Sequence, residues 1–170
     1  MNLDDVNAVI ESAKARGREG LDRYIQRRLP EATDEQVRET GDVALEIIES
    51  VPVFLARARQ EAEQRGLQPV VTPILELAAR YFLNPVDVIP EMTHGLGGLL
   101  DDAYVVLRVL DRLDHGPTPF LGWDLKEPLE FLAGVMGRDT VRRLDLATLR
   151  YAEAAEAHYT RVWDEVSARA

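Results

Sequence analysis

The sequence of 170 residues predicts an all-α fold, a compact bundle of about seven or eight helices. Apolar residues recur three and four positions apart through most of the chain, as on one face of a helix. No run of strict apolar–polar alternation indicates a strand, and Pro and Gly residues separate the periodic segments. We therefore expect a single domain over 1–170, in which helices of 1–66 precede and helices of 124–169 follow a central apolar helix–corner–helix motif at about 74–113.

The first two helices are separated by glycines. Leu3, Val6 and Ile10 share one helical face, which predicts a helix over about 3–16. Gly17 then interrupts the pattern, and a short apolar segment ends at Pro30.

The third periodic segment begins at a capping box. Thr33 and Gln36 have the spacing at which the two side chains bond reciprocally to the backbone of a helix N-terminus. Pro52 leaves two alternatives open: a new helix capped by Ser50, or a kink within one long helix. Gly66 is a typical C-terminal stop.

Two further helices form the central motif. Pro69 and Pro73 precede ILELAARYFL, a short amphipathic helix that we expect to end near Leu83 or Asn84, before Pro85. Leu99–Leu113 is apolar around most of its circumference, which predicts a helix at the centre of the core.

The C-terminal part begins with a linker. HGPTPFLGW, residues 115–123, is rich in Pro and Gly, and Asp124 with Glu127 marks the start of a further helix. After Gly137, apolar residues at helical spacing predict one long helix to the C-terminus.

Composition argues against several kinds of site, partner and membrane segment. The formal charge is −10 and the chain has no Cys, so disulfides and thiolate metal sites are ruled out. An acidic surface repels nucleic acids and anionic lipids. The N-terminus lacks the apolar core of a signal peptide, and no uncharged run approaches the roughly 20 residues of a membrane span. We expect a cytoplasmic protein with no integral membrane span that binds no nucleic acid.

One segment has unusual chemistry. YFLNPVDVIPEMTHGLGGLLDD, residues 81–102, holds two prolines, three glycines and two adjacent aspartates. It resembles the signature of the bacterial YkvA-like family, a domain of unknown function, in which Pro-x-Asp-x-Ile-Pro is followed by Gly and Asp-Asp. The residues that fill the signature are Asn84, Pro85, Asp87, Ile89, Pro90, Glu91, Gly97, Asp101 and Asp102. Asn84 and Glu91 replace the Ser and Asp of most relatives, and Gly98 lengthens the second half. The resemblance implies a family but no established activity.

The acids of this motif have two interpretations. As structural groups, Asp87 caps a turn, while Asp101 and Asp102 occupy the first turn of a helix, where the helix dipole favours anions. As ligands, Asp87, Asp101 and Asp102 would converge on a divalent metal of the Mg²⁺, Ca²⁺ or Mn²⁺ type, with a hydrolytic role as an extension. Asp111, Asp114 and His115 form a second acidic cluster, for which we favour a structural role at the end of a helix.

The residues support two function hypotheses. The chain has neither a nucleophile motif nor a cofactor fingerprint, which favours a non-enzymatic binding, adaptor or scaffolding module without a cofactor. Its partner would be another protein or a second copy, and the candidate interface is Tyr151, Tyr159 and Trp163 on the last helix, unless these rings pack within the chain. Arginines Arg142, Arg143 and Arg150 would then meet an acidic neighbour. The alternative is the carboxylate metal site.

Overall fold

The computed structural model describes residues 2–83 and 95–169, without the side chains of Tyr151 and Ala154. This part of the chain contains eight α-helices and no strand, which confirms the all-α prediction. The helices are α1 (Leu3–Ala15), α2 (Glu19–Arg28), α3 (Asp34–Arg65), α4 (Gln68–Leu83), α5 (Leu99–Leu113), α6 (Lys126–Met136), α7 (Arg138–Ala154) and α8 (Glu156–Ser167). A 3-10 turn, Leu96–Gly98, leads into α5.

The ends of α3 form as the sequence predicts. Thr33 accepts from the Gln36 amide at 3.2 Å, and the Gln36 side chain accepts from the Thr33 amide at 2.9 Å. Gly66 ends the helix in the left-handed conformation, with φ 65°. Pro52 lies inside the single 32-residue helix, so of the two alternatives at this position the continuous helix is the one observed.

Helix α4 starts earlier than predicted. It begins at Gln68, so Pro69 lies in its first turn and Pro73 lies inside it. A proline in the first turn removes an N–H that has no helical acceptor. Extending the helix also buries Val70 and Val71, which are 1% and 0% exposed. Burying a valine stabilises by about 1.5–3 kcal/mol, enough to offset the unfavourable Pro73.

Helix α5 lies at the centre of the bundle, as predicted. It contacts α3, α4, α6, α7 and α8. Its solvent-accessible stripe is narrow and consists of Arg108, Asp111 and Arg112, while the remaining side chains are buried. The central helix therefore presents three charged groups to the surface and an apolar wall to its neighbours.

The prediction of one long C-terminal helix is wrong. The chain bends at Ala155, with φ −105° and ψ 6°, and separates α7 from α8. Helix α7 packs on α5 and α6, whereas α8 packs mainly on α4. A straight continuation of α7 would leave Tyr159, Val162 and Val166 without the contacts that bury them, so the break is set by packing.

Within residues 2–83 and 95–169, no helix is long and apolar enough to cross a membrane.

Candidate functional site

The signature segment is described only in its second half. The first half of the signature lies outside the described residues; it consists of Asn84, Pro85, Asp87, Ile89, Pro90 and Glu91. Gly95 has φ +84°, a conformation that favours glycine, and Gly97 is buried in the 3-10 turn. Asp101 and Asp102 occupy the first turn of α5 and are 4% and 1% exposed. Both carboxylates are therefore held inside the bundle at the positive end of the central helix.

The metal hypothesis joins Asp101 and Asp102 to Asp87. The described residues contain no group of three or more His, Cys, Asp or Glu side chains that could hold an ion. Asp87, the third ligand of that hypothesis, lies outside these residues, so the proposed set of three stays a prediction.

A polar network covers the exposed stripe of α5. The Tyr104 hydroxyl donates to Asp145 Oδ1 at 2.9 Å, and Arg108 Nε lies 3.3 Å from the same oxygen. Arg108 also donates to Asp111 Oδ2 at 3.3 Å, and the His115 ring lies 3.2 Å from that oxygen. The network joins α5 to α7 through Tyr104, Arg108 and Asp145, so it holds the two helices together.

Tyr104 keeps its proton within this network. Burial raises the pKa of Tyr104, and the hydrogen bond to Asp145 raises it further. The tyrosine is therefore a neutral donor at physiological pH.

Asp114 organises the linker after α5. Its carboxylate accepts from the backbone amides of Leu121, Gly122 and Trp123 at 2.5, 2.7 and 3.3 Å. Three amide donors occupy lone pairs that a metal would need, and His115 bonds to Asp111 instead. The geometry accords with a structural role for this acidic cluster.

The aromatic residues of α8 pack within the chain. Tyr159 is 1% exposed, and its hydroxyl donates to the Val109 carbonyl of α5 at 3.2 Å. The Arg112 guanidinium lies 5.3 Å from the Tyr159 ring centroid and 6.0 Å from that of Trp163, which is partly buried against the core. Arg112 also bonds to Glu156 at 2.8 Å. Tyr159 thus joins α8 to α5 and presents almost no surface to a partner.

The outer face of α7 is different in character. We define the α7 face as the exposed residues Arg138, Asp139, Arg142, Arg143, Leu146, Leu149, Arg150 and Glu153. Leu146 and Leu149 are 56% and 49% exposed. Across the described part of the chain, none of the four arginines forms a salt bridge to a carboxylate. The face combines unpaired positive charge with exposed apolar surface, on a chain whose net charge is −10.

The comparisons with known proteins identify one domain. A family model described as a protein of unknown function, DUF1232, matches residues 74–107, a fifth of the chain. The match covers most of α4 and the first part of α5, and it includes the segment 81–102 that resembles the YkvA-like family; that label stays a prediction. Neither a curated protein nor a solved structure matches the chain. The class shown is a helical chain that carries a domain of unknown function.

Sequence reasoning located only part of these features. The sequence indicates that Arg142, Arg143 and Arg150 form a flank that could meet an acidic neighbour, but it does not indicate that Leu146 and Leu149 are exposed. Their exposure depends on which side of α7 faces α5, and a helix with apolar residues on several sides does not reveal that. The Tyr104–Asp145 bond joins residues distant in sequence, and no local pattern indicates it.

Proposed function

We propose that this chain is a non-enzymatic binding or scaffolding module that docks an acidic, amphipathic protein surface on the α7 face. One observation carries the proposal: four arginines that form no salt bridge among residues 2–83 and 95–169 surround two leucines that are about half exposed. Buried leucines are the rule for a helix that serves only the core, whereas exposed apolar patches rimmed by polar groups are typical of interaction sites.

Charge determines the chemistry of the partner. The α7 face holds four arginines against Asp139 and Glu153, so it is positive on an otherwise acidic chain. Arg side chains bind carboxylates in a planar, two-point geometry, and leucines bury apolar surface beside them. A helix with glutamates along one edge and leucines or valines along the other satisfies both requirements.

A peptide assay tests this function. The probe is a fluorescein-labelled amphipathic peptide that carries glutamate at its polar positions and leucine on its apolar face; the matched probe carries lysine instead. We expect the wild-type chain to raise the anisotropy of the glutamate peptide only. The double variant Arg142→Glu/Arg143→Glu is expected to weaken binding by about tenfold or more.

The control variant carries the same charge change elsewhere. Arg59 and Arg161 are exposed residues of α3 and α8, and Arg59→Glu/Arg161→Glu should bind like the wild type. Equal loss in both variants, or equal binding of both peptides, would show a general charge effect and overturn the proposal. Binding to anionic vesicles but not to the glutamate peptide would assign the face to a membrane instead.

The metal site is the second candidate function. The burial of Asp101 and Asp102 supports it, because buried carboxylates are as a rule paired, hydrogen-bonded or metal-bound. Elemental analysis of the purified protein, repeated on Asp87→Asn, tests it. A stoichiometric divalent ion that is lost in the variant supports the site, and the same metal content in both samples rules it out. A cytoplasmic location remains part of the prediction for either function.

A further inference from the structure

We infer that the acidic partner of the α7 face is the outer face of α3 on a second copy of this chain. The inference rests on the proposed function and identifies the partner of the same surface. We define the α3 face as Glu35, Glu39, Val43, Glu46 and Val53, all exposed and on one side of α3. Val43 and Val53 are 41% and 51% exposed, among the most exposed large apolar residues that the structure describes.

The α3 face complements the α7 face in charge. Glu35, Glu39 and Glu46 form no salt bridge with any of the described residues. The neighbouring acids Asp42 and Glu49 are already paired with Arg18 and Lys14, respectively. The face therefore retains unpaired negative charge beside exposed valines, as the α7 face retains unpaired positive charge beside exposed leucines.

The two faces also share a spacing. On α3 the residues Glu35, Glu39 and Val43 follow one another at intervals of four, and on α7 so do Arg138, Arg142 and Leu146. Residues four apart lie above one another on a helix. In one parallel register, two acid–base pairs and a Val43–Leu146 contact form together, and Glu46 comes close to Arg150. The pairing requires no change in either helix.

A second copy is required because one chain cannot make this contact. Both faces are exposed, and α3 and α7 pack against α5 separately. Each copy carries one α3 face and one α7 face, so a copy can use both faces when it associates with others. Specific interfaces bury at least roughly 1,200 Å² in total, so using both faces favours a stable assembly.

The test measures mass by light scattering after gel filtration, across protein and salt concentrations. The wild type is expected to associate, and less so at high salt because exposed ion pairs are screened. Glu39→Arg/Glu46→Arg and Arg142→Glu/Arg143→Glu should each be monomeric at the concentration where the wild type associates. An equimolar mixture of the two variants should associate again, because each reversed face then meets a reversed partner. The control Arg59→Glu/Arg161→Glu should associate like the wild type.

The outcomes separate this inference from the proposed function. A wild type that is monomeric throughout, while still binding the glutamate peptide at α7, overturns the second copy and leaves the binding function intact. Association that survives either charge reversal, or that the mixture fails to restore, shows that copies meet elsewhere and also overturns the inference. A wild type that neither self-associates nor binds the glutamate peptide would reject both the second copy and the binding function.

Discussion

Helix α3 and the pair α7–α8 have similar lengths but opposite behaviour. Helix α3 runs for 32 residues through Pro52 without a break. The segment from Arg138 to Ser167 contains neither Pro nor Gly, yet it breaks at Ala155. The comparison shows that residues with strong local preferences do not alone decide where a helix ends; the surface against which it packs decides as well.

In α3 a single apolar stripe faces its neighbours from end to end. Val51, Pro52 and Leu55 are all buried, so the proline contributes to the core at the place where it disrupts the helical hydrogen bonds. The Ser50 hydroxyl donates to the Ile47 carbonyl at 2.7 Å, next to the Ile48 carbonyl that Pro52 leaves without its helical donor. Packing along the whole length keeps the helix continuous.

In the C-terminal pair, two directions of packing compete. Helix α7 is held to α5 through Asp145, and α8 is held to α5 through Tyr159 and Arg112. At the bend, the Ala155 amide donates to the Ala152 carbonyl at 3.1 Å, a tighter turn than an α-helix makes. The contacts of α8 with its neighbours determine the bend, so variants that remove these contacts should destabilise the position of α8.

The largest expected effect is at Tyr159. Replacing Tyr159 by Ala removes the ring that fixes α8 on α5 and should lower the free energy of unfolding by about 3–5 kcal/mol. Tyr159→Phe keeps the ring and loses only the hydrogen bond to Val109, at about 0.5–1.5 kcal/mol. Urea unfolding followed by circular dichroism measures both. Similar losses in the two variants would contradict the ring as the anchor of α8.

The next effect concerns the linker beneath α8. A Cβ added at Gly116 would lie 2.6–2.9 Å from atoms of Trp163, so Gly116→Ala must displace the indole and should destabilise by about 1–3 kcal/mol. Gly134→Ala in α6 is the matched control. A Cβ there meets nothing within 4 Å, and the change should stabilise by about 0.5–1 kcal/mol. Thermal unfolding should shift in opposite directions, and a shift in the same direction would refute the contact.

A smaller effect is expected in α3, at Pro52. Pro52→Ala restores an amide donor to the Ile48 carbonyl while giving up some buried apolar surface. Because the helical gain exceeds the packing loss, we expect α3 to persist and stability to rise by about 1 kcal/mol. Chemical unfolding checks the sign. A clear loss of stability would mean that the packing of the Pro52 ring outweighs the helical hydrogen bond that the proline removes.

The smallest effect is a dependence on alkaline pH. Burial and Asp145 raise the pKa of Tyr104 above its ordinary value of 10, so above about pH 10 the unfolded chain releases a proton that the folded chain retains. The contribution of Tyr104 to the free energy of unfolding is therefore fully present below that pH, and it is lost as the pH rises. Tyr104→Phe should make this fall shallower in urea titrations between about pH 8 and pH 11. Lys14, whose pKa the Glu49 and Glu11 side chains raise to about 12, adds the same fall to both proteins. An unchanged slope would contradict the role of Tyr104.

Much of the fold was predictable because its causes are local. The capping box at Thr33, the stop at Gly66 and the apolar helix Leu99–Leu113 each depend on residues within a few positions of one another, and each forms as predicted. Helix α4 begins earlier than the sequence predicts, because the burial of Val70 and Val71 outweighs the local preference of Pro73.

The candidate site was predictable only in part. The arginines of α7 are visible in the sequence, but whether they pair with the acids of the described residues depends on the tertiary structure. The sequence makes Tyr159 a candidate interface residue, because an aromatic residue on a helix is equally suited to a partner and to the core. The structure buries it beneath Arg112, at 1% exposure.

The sequence by itself determined that the chain is helical, where most of its helices begin or end, and which helix lies at the centre. Capping, proline and glycine geometry and apolar periodicity act over a few residues, so they can be deduced without the fold. Only the tertiary structure decided that α3 continues through Pro52, that the C-terminal segment bends at Ala155, and that α7 leaves Leu146 and Leu149 at the surface. These outcomes depend on contacts between distant helices, whose summed burial exceeds the local preferences of any single residue.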